Sequence, residues 1–286
     1  MVRCSRCGML FANPVEQQYA TGTFYEDQAA PFYLSPAKLQ SDYAPVRFQR
    51  ELRLFRRFCP SGDVLDVGCS TGAFLHQLQA KFPGNYRVLG IDVAGAALDY
   101  AASQGIPVVR GDAEAGADMF LTHDFGASRF DAITFWAVLE HLAEPGKFVS
   151  RAAALLRPGG HCFFLVPNMK SLAVRWLGRR YRYVMPEHVN YFDHRTLRRL
   201  LPPNLEVVRV KSTHFNPMVL WQDWWRGQRD LVPPSERAQL LQRTNAWKQS
   251  ALLYPLRLGY RLTEWLLAAM DLADNLVLVA RRRDHF

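Results

Sequence analysis

The sequence has few cysteines and no long apolar run. Its five cysteines are an odd number, and their spacing suggests no disulfide framework, so a reducing compartment is expected. No window of about 18 apolar residues occurs, which predicts that no segment spans a membrane. The first residues, MVRCSRCGML, lack the long apolar region of a signal peptide. We therefore expect a cytoplasmic protein.

Internal repeats and low-complexity tracts are also lacking, which argues against solenoid and fibrous architectures. The 286 residues are 49% apolar and 13% aromatic, enough for one large α/β domain with additional helices. The net charge of +9 would favour binding of nucleic acid, anionic lipid or an acidic small substrate. A basic surface that is simply solvated explains the charge equally well.

Strand-like and helix-like segments alternate along most of the chain. The predicted strands are 63–68, 86–93, 107–112, 130–138, 161–168, 205–210 and 275–281. Helices predicted at 71–82, 94–105 and 145–160 separate the earlier strands. This alternation predicts an α/β fold with a Rossmann-like, seven-stranded, mostly parallel sheet, helices on both faces and a helical insertion before the last strand.

Four segments are expected from the composition. Residues 1–44 form a cysteine-containing head followed by an irregular stretch, and residues 45–210 form the Rossmann-like domain. Residues 211–272 form a helical insertion over the substrate cleft, with helices near 217–230, 235–252 and 255–272. Residues 273–286 supply the last strand. Arginines 175, 179, 180 and 182 are candidates for binding a substrate phosphate, and a solvated face is the alternative.

The segment VLDVGCSTGAF (64–74) carries the most chemical information. A buried strand delivers Asp66 to its carboxyl end, and Gly68 and Gly72 allow a sharp turn against a ligand. The helix that follows points its free N–H groups and positive dipole end at that ligand. A bound amino acid suits this position, with its carboxylate at the amides and its ammonium at Asp66.

Two further carboxylates follow the next strands. Asp92 ends the second strand, where an acidic residue typically accepts hydrogen bonds from ribose hydroxyls. Asp112, beside Ala113 at the end of the third strand, can accept a hydrogen bond from an adenine amino group. Together with the glycine turn, these residues predict a ligand composed of adenosine and an amino acid.

These motifs resemble those of the class I methyltransferases that use S-adenosylmethionine (SAM). D-x-G-x-x-x-G at 66–72, Asp92 and Asp112 match the first three cofactor motifs of that family, and FDAITFWAVLEHLAEP (130–145) and LLRPGGHCFFLVPN (155–168) resemble the following segments. The resemblance implies SAM as the cofactor. The cofactor-binding residues that it implies are Asp66, Gly68, Cys69, Ser70, Gly72, Asp92, Val93, Asp112, Ala113, Phe135 and Trp136.

The resemblance also implies individual roles. The residues of the 66–72 turn would line the methionine part, and Asp92 would hold the ribose. Val93 would pack on the adenine, whose edge would meet Asp112 and Ala113. Phe135 and Trp136 would close over the cofactor from the fourth strand.

Two histidines are candidate catalytic bases for a hydroxyl acceptor. His141 follows the fourth strand, and His188 lies in MPEHVNYF, which resembles the P-E-H-x-x-Y-F segment of a methyltransferase subgroup. Ordering of the loop through a hydrogen bond is the alternative role for His141, and a structural contact with Tyr191 is the alternative for His188.

The acceptor is constrained by the residues that follow the fourth strand. Methyltransferases of nucleic-acid amino groups often carry an Asn/Asp-Pro-Pro-aromatic motif there, whereas this chain has FWAVLEH. This favours an oxygen or carbon acceptor on a small molecule, such as a sugar, a lipid-linked glycan or a quinone-like ring. The alternatives are an RNA methyltransferase and a non-catalytic SAM-binding protein. A nicotinamide oxidoreductase is disfavoured because G-x-G-x-x-G is absent.

The head CSRCG, followed by MLFANP, resembles the second half of a zinc ribbon. Such a ribbon requires four ligands, usually two C-x-x-C pairs, and here Cys4 and Cys7 form the first pair of the chain. We predict no resident metal from the sequence, and Cys4 and Cys7 are the candidates if zinc binds.

Overall fold

The computed structural model describes residues 1–110, 120, 123–125, 129–226 and 254–284. The predicted helix at 235–252 and the candidate residues Asp112 and Ala113 lie outside these residues. Within the described ranges, no helix has both the length and the apolar character needed to cross a membrane.

Ten strands are described. They are β1 (Val2–Arg3), β2 (Leu10–Phe11), β3 (Gly62–Val67), β4 (Tyr86–Asp92), β5 (Val108–Arg110), β6 (Phe130–Trp136), β7 (Leu156–Pro167), β8 (Asn190–Tyr191), β9 (Leu205–Thr213) and β10 (Asn275–Arg282). Seven of them form one sheet in the order β5-β4-β3-β6-β7-β10-β9. The pairs from β5 to β7 are parallel, and β10 runs antiparallel to both neighbours. The predicted seven-stranded, mostly parallel sheet is confirmed.

The helices flank this sheet and precede it. They are α1 (Gln17–Thr21), α2 (Thr23–Asp27), α3 (Ala30–Tyr33), α4 (Pro36–Asp42), α5 (Gln49–Phe58), α6 (Ala73–Lys81), α7 (Gly95–Ser103), α8 (Pro145–Leu155), α9 (Leu172–Leu177), α10 (His194–Arg199), α11 (Pro217–Arg226) and α12 (Tyr254–Ala269). Helices α11 and α12 lie between β9 and β10 in the chain.

The parallel order follows from strands that are apolar on both faces. One cluster of buried residues, including Leu65 and Phe135, packs between the sheet and α8, and a second, including Val64 and Phe74, packs beneath α5 and α6. Burial on both faces explains why these strands are nearly continuous apolar runs. Because β3, β4, β5 and β6 are parallel, their carboxyl ends share one edge of the sheet.

The expectation of an irregular stretch after the head was wrong. Residues 17–42 form four short helices, α1 to α4. Gly22 at φ +83° separates α1 from α2, and Pro31 and Pro36 stand in the first turns of α3 and α4, where a missing N–H costs nothing. Frequent Gly and Pro therefore mark the starts and ends of helices in this stretch.

Two helix ends show how local sequence sets the boundaries. Helix α8 ends at Leu155, earlier than the predicted 160, and the chain continues directly into β7. Pro158 disfavours helical backbone at the preceding residue and cannot donate within a helix, which explains the early end. Helix α10 begins after Asp193, whose carboxylate accepts from the Thr196 amide at 2.9 Å and caps the helix.

The cysteine-containing head joins the body of the protein through a second, three-stranded sheet in the order β1-β2-β8. Leu10 lies opposite Tyr191, and the Ala12 amide donates to the Val189 carbonyl at 2.8 Å. The head is therefore paired with the segment that contains His188, an arrangement that two-residue strands do not reveal in the sequence.

Candidate active site

The turn between β3 and α6 has the backbone geometry that its glycines predict. Gly68 and Gly72 adopt φ values of +73° and +74°, where a side chain is strained. A Cβ atom on Gly68 would lie 2.5 Å from the Val138 side chain, and one on Gly72 would lie 3.0 Å from Ala101. The turn is therefore restricted to glycine at these positions by both conformation and close approach.

Asp66 ends β3 as a deeply buried carboxyl. Its side chain accepts a hydrogen bond from the Thr134 hydroxyl at 2.5 Å. Burial raises the pKa of Asp66 to about 7, and the Thr134 hydrogen bond offsets only part of that rise. A buried carboxyl of this kind gains its charge most readily when a cation, such as a ligand ammonium, lies beside it.

Asp92 holds the glycine turn against the start of α7. Its carboxylate accepts from the Ser70 amide at 2.7 Å and from the Ala94 amide at 3.0 Å. Burial raises the pKa of Asp92, and these backbone hydrogen bonds act in the opposite direction. Ser70 itself adopts φ +50°, which the Asp92 contact helps to maintain.

A cavity of about 940 Å³ opens at this edge of the sheet. The candidate cofactor residues that line it are Asp66, Gly68, Cys69, Ser70, Asp92, Val93 and Trp136. The Trp136 ring packs against Phe74 and Phe163, and its indole N–H has no hydrogen-bond partner. An unpartnered buried donor facing a cavity is suited to a ligand acceptor.

Phe135 does not close over the cavity, contrary to the expectation. It is fully buried and stacks on Phe164 with ring centroids 5.4 Å apart. Because side chains alternate along a strand, Trp136 on β6 faces the cavity while Phe135 faces the opposite side.

Cys69 lines the cavity, and burial raises its pKa well above that of a free thiol, which keeps it neutral.

His141 and His188 lie next to each other in the lining of the same cavity. Their ring centroids are 4.7 Å apart at an interplanar angle of 78°. The loop after β6 and the segment before β8 are joined by backbone bonds from the Val189 and Asn190 amides to the Glu140 carbonyl, at 2.8 and 3.0 Å. The two predicted catalytic histidines thus share one site.

Each histidine is oriented through its Nδ1 atom. In His141 this atom lies 2.6 Å from the Tyr25 hydroxyl and 2.9 Å from the Glu187 carbonyl, and in His188 it lies 2.8 Å from the Tyr183 carbonyl. The His188 and Tyr191 rings are 6.4 Å apart, edge to face, so His188 also has the structural neighbour that the sequence suggested.

Four aromatic residues that belong to no predicted motif also line the cavity. They are Phe24, Tyr25, Phe32 and Tyr33, from α2 and α3, and the Tyr25 ring contacts His141 edge to face with centroids 5.4 Å apart. These residues lie more than a hundred positions before His141 and precede the recognisable motifs, so no local pattern connected them with the site.

Two pairs of oppositely charged side-chain types lie in the rest of the wall. His214 lies 3.1 Å from Glu51, and Arg50 of α5 forms an ion pair with Glu264 of α12. Burial opposes the charge on Glu51, but His214 and Arg47 outweigh this effect of burial and lower the pKa of Glu51 to about 2.

The arginine candidates for phosphate binding separate into two groups. Arg182 is buried and forms a bidentate pair with Asp223, with a shortest contact of 2.6 Å. That pairing neutralises Arg182 and leaves it unsuited to an anion. Arg175, Arg179 and Arg180 are exposed, in agreement with the solvated alternative.

Cys4 and Cys7 lie in the head as partly exposed free thiols. Hydrogen bonds from Cys7 and nearby backbone lower the pKa of Cys4. Among the described residues, the one cluster of histidine, cysteine and acidic side chains that is compact enough for a metal ion contains neither of them.

The glycine turn, the two carboxylates at the carboxyl ends of β3 and β4 and the seven-stranded sheet with an antiparallel β10 define a methyltransferase-type nucleotide site. Residues 41–204 match the family model described as a methyltransferase domain, and the chain belongs to that family. The prediction of a class I SAM-dependent methyltransferase is confirmed.

Curated relatives match part of the chain. A ubiquinone biosynthesis O-methyltransferase from Caulobacter vibrioides is 35% identical over 43% of this chain and 49% of its own length. The one from Burkholderia thailandensis is 28% identical over 56% of this chain and 71% of its length. The chain thus spans about half the length of the Caulobacter relative.

Among solved structures, a SAM-dependent methyltransferase from Thermotoga maritima is similar, with a TM-score of 0.56 and 13% identity. The likeness covers 89% of this chain and 99% of that one. At this level of identity, the comparison supports the fold.

Proposed function

We propose that the protein transfers the methyl group of SAM to an oxygen atom of an aromatic, quinone-like small molecule. The observation that carries this proposal is a single cavity that joins the glycine turn and Asp92 to the His141–His188 pair and an aromatic wall. The similarity to ubiquinone biosynthesis O-methyltransferases supports an oxygen acceptor of this class.

In this proposal the β3–α6 turn receives the amino-acid part of SAM. Asp66 binds the ammonium, and the amides of the turn and of the start of α6 bind the carboxylate. Asp92 accepts from the ribose hydroxyls, while Val93 and Trp136 border the adenosine. Asp112 and Ala113 keep their expected role at the adenine edge as a proposal from the sequence alone.

Methyl transfer from a sulfonium is a displacement in which SAM supplies an already activated methyl group. The protein's contribution is to position the acceptor oxygen, an effect worth about 7–11 kcal/mol in well-oriented systems. His141 and His188 activate the acceptor hydroxyl, which adds about 10²–10⁴-fold. The aromatic rings of α2 and α3 hold the acceptor ring and exclude water.

We further propose that helices α11 and α12 and the segment before residue 45 cover the acceptor side. Val219 of α11, Tyr260 and Glu264 of α12, and Tyr25 of α2 line the cavity. Both segments lie outside the motif-bearing strands, so acceptor selection is separated in sequence from cofactor binding.

The test is formation of S-adenosylhomocysteine from SAM in the presence of catechols and hydroxyquinols, sugars, and RNA. We expect turnover with the phenolic acceptors and a loss of about 10²–10⁴-fold in kcat for His141→Ala, with SAM binding retained. His161→Gln is the control, since His161 lies at the start of the buried part of β7, away from the cavity lining.

Two results would contradict the proposal. Methylation of RNA with binding that weakens steeply with salt would support the alternative suggested by the net charge of +9. SAM binding without turnover on any acceptor would indicate a non-catalytic SAM-binding protein.

A further inference from the structure

The side chains of Glu140, His141 and His188 form a compact cluster in the cavity. One carboxylate oxygen and one nitrogen from each ring lie within 4.8 Å of one another. His141 and Glu140 come from the loop after β6, and His188 comes from the segment before β8. We infer that this cluster is a binding site for a divalent transition metal of the Zn²⁺ type.

The buried carboxylate is the first independent indication of a cation site. Glu140 is 1% exposed, and its Oε2 atom has no hydrogen-bond partner. A buried carboxylate oxygen without a partner costs free energy of folding unless the carboxylate is protonated or the oxygen binds a cation or a hydrogen-bond donor. A cation held between Glu140 and the imidazoles would satisfy this oxygen.

The hydrogen bond at Nδ1 of His188 is the second indication. A carbonyl oxygen only accepts, so Nδ1 of His188 donates to Tyr183, and the lone pair of the His188 ring is on Nε2. Nδ1 of His141 lies near both the Glu187 carbonyl and the Tyr25 hydroxyl, and donation to the carbonyl would place the lone pair of this ring on Nε2 as well. A metal-binding histidine usually has this arrangement, in which the remaining N–H is held by a carbonyl or carboxylate.

The ligand set selects the class of metal. Imidazole nitrogens suit Zn²⁺ and its neighbours rather than Mg²⁺ or Ca²⁺, which prefer oxygen ligands. Two histidines and one glutamate are a set found in catalytic zinc sites, where the fourth position stays open. In a tetrahedral Zn²⁺ site the ligand atoms lie about 3.4 Å apart, whereas here they lie within 4.8 Å of one another, so binding would draw them closer.

The open position would face the cavity that the cofactor turn shares. An acceptor hydroxyl bound there would lose its proton more readily, because a bound cation lowers the pKa of coordinated oxygen, and the histidines would then activate the hydroxyl through the metal rather than as bases. This role in catalysis rests on the proposed function, whereas metal binding itself does not. A phenol with a neighbouring oxygen is the acceptor that such an ion would hold best.

The test is calorimetric titration with ZnCl₂, together with visible absorption spectra after addition of CoCl₂. Both are done in the Cys4→Ser/Cys7→Ser background, so that the thiols of the head do not contribute. We expect one Zn²⁺ per chain and d–d absorption bands from Co²⁺. Glu140→Gln and His188→Ala should each weaken Zn²⁺ binding by more than about 100-fold, since loss even of an outer partner costs about 10–100-fold.

His161→Gln removes an imidazole outside the cavity lining and should bind Zn²⁺ as the parent does. SAM binding measured on the same variants shows that they are folded. Absence of Zn²⁺ binding at micromolar concentrations, or equal affinity in all variants, would overturn the metal site. Full-rate methyl transfer by metal-free protein would overturn the catalytic role of the metal. If Zn²⁺ binds and binding depends on the cluster, but no methyl transfer is found, only the proposed function is contradicted.

Discussion

Gly68 and Gly105 have nearly the same backbone conformation in very different surroundings. Their φ values are +73° and +78°, but a Cβ on Gly68 would lie 2.5 Å from Val138, whereas one on Gly105 would have no atom within 4 Å. Gly68→Ala should therefore cost conformational strain of about 1–2 kcal/mol plus about 1–3 kcal/mol for the close contact. Gly105→Ala should cost the strain alone.

Chemical unfolding of the two variants, with calorimetric SAM titration, checks this pair. We expect SAM affinity to drop for Gly68→Ala and to stay at the wild-type value for Gly105→Ala. Equal destabilisation and equal SAM binding would show that close approach at Gly68 is unimportant.

Asp66 makes SAM binding dependent on pH. Burial raises its pKa to about 7, so the ligand-free protein holds a proton there below neutral pH, and the stability that Asp66 contributes falls as the pH rises toward 7. A ligand ammonium requires the ionised form. The Kd for SAM should therefore rise about tenfold for each pH unit below about 7.

The isosteric variant Asp66→Asn serves as the control for this dependence. It should bind SAM more weakly at pH 8 and show a flat profile from pH 5 to 8. A wild-type Kd that does not change over this range would contradict the role of Asp66 as the ammonium partner.

At the level of single residues, the sequence predicted what a strand and a turn impose locally. Asp66 and Asp92 could be placed because each ends a buried strand, and Trp136 because it ends β6. Phe135 was assigned to the wrong face, since an apolar strand buried on both sides gives no signal of which residue meets the cavity. Tyr25 could not be found, because its contact with His141 depends on how distant helices pack.

The elements that carry the cavity wall are joined by a buried ion pair. Arg182, after α9, and Asp223, on α11, have side chains that are 7% and 2% exposed. Asp223→Ala should cost about 3–5 kcal/mol, because it leaves a buried guanidinium without its partner. Thermal unfolding of the variant measures this cost.

Asp99→Ala is the matched control for this pair. Asp99 also lies on a helix and pairs with an arginine, Arg110, but it is 65% exposed. Its loss should cost between about 0 and 1 kcal/mol. Equal effects at Asp99 and Asp223 would mean that the buried pair does not hold α11 to the segment that follows α9.

Elements with strong periodicity and clear end signals were predicted closely, as β4 and α7 show. The short helices α1 to α4 were missed because four- to seven-residue helices have too few turns to show a period. The pairing of β8 with the head was missed because two-residue strands are defined by their partners and not by their own sequence.

On the scale of the whole molecule, the chain order brings together residues that are far apart. The carboxyl ends of β3, β4 and β6 meet at one edge, which gathers Asp66, Asp92 and Trp136 around the cavity. The helices α2 and α3 and the helices between β9 and β10 then add walls that have no counterpart in the cofactor motifs. This division explains why the cofactor could be predicted from the sequence while the acceptor is a proposal.

The most direct test of the account is calorimetric titration of the whole protein with SAM, alongside NAD, for wild type and Asp92→Ala. Asp92 holds the turn through the Ser70 and Ala94 amides and is the proposed ribose partner, so the variant loses both contacts. The account predicts saturable one-site binding of SAM to the wild type, affinity at least about tenfold lower in the variant, and no binding of NAD. A folded wild-type protein that binds NAD, or that fails to bind SAM, would contradict it.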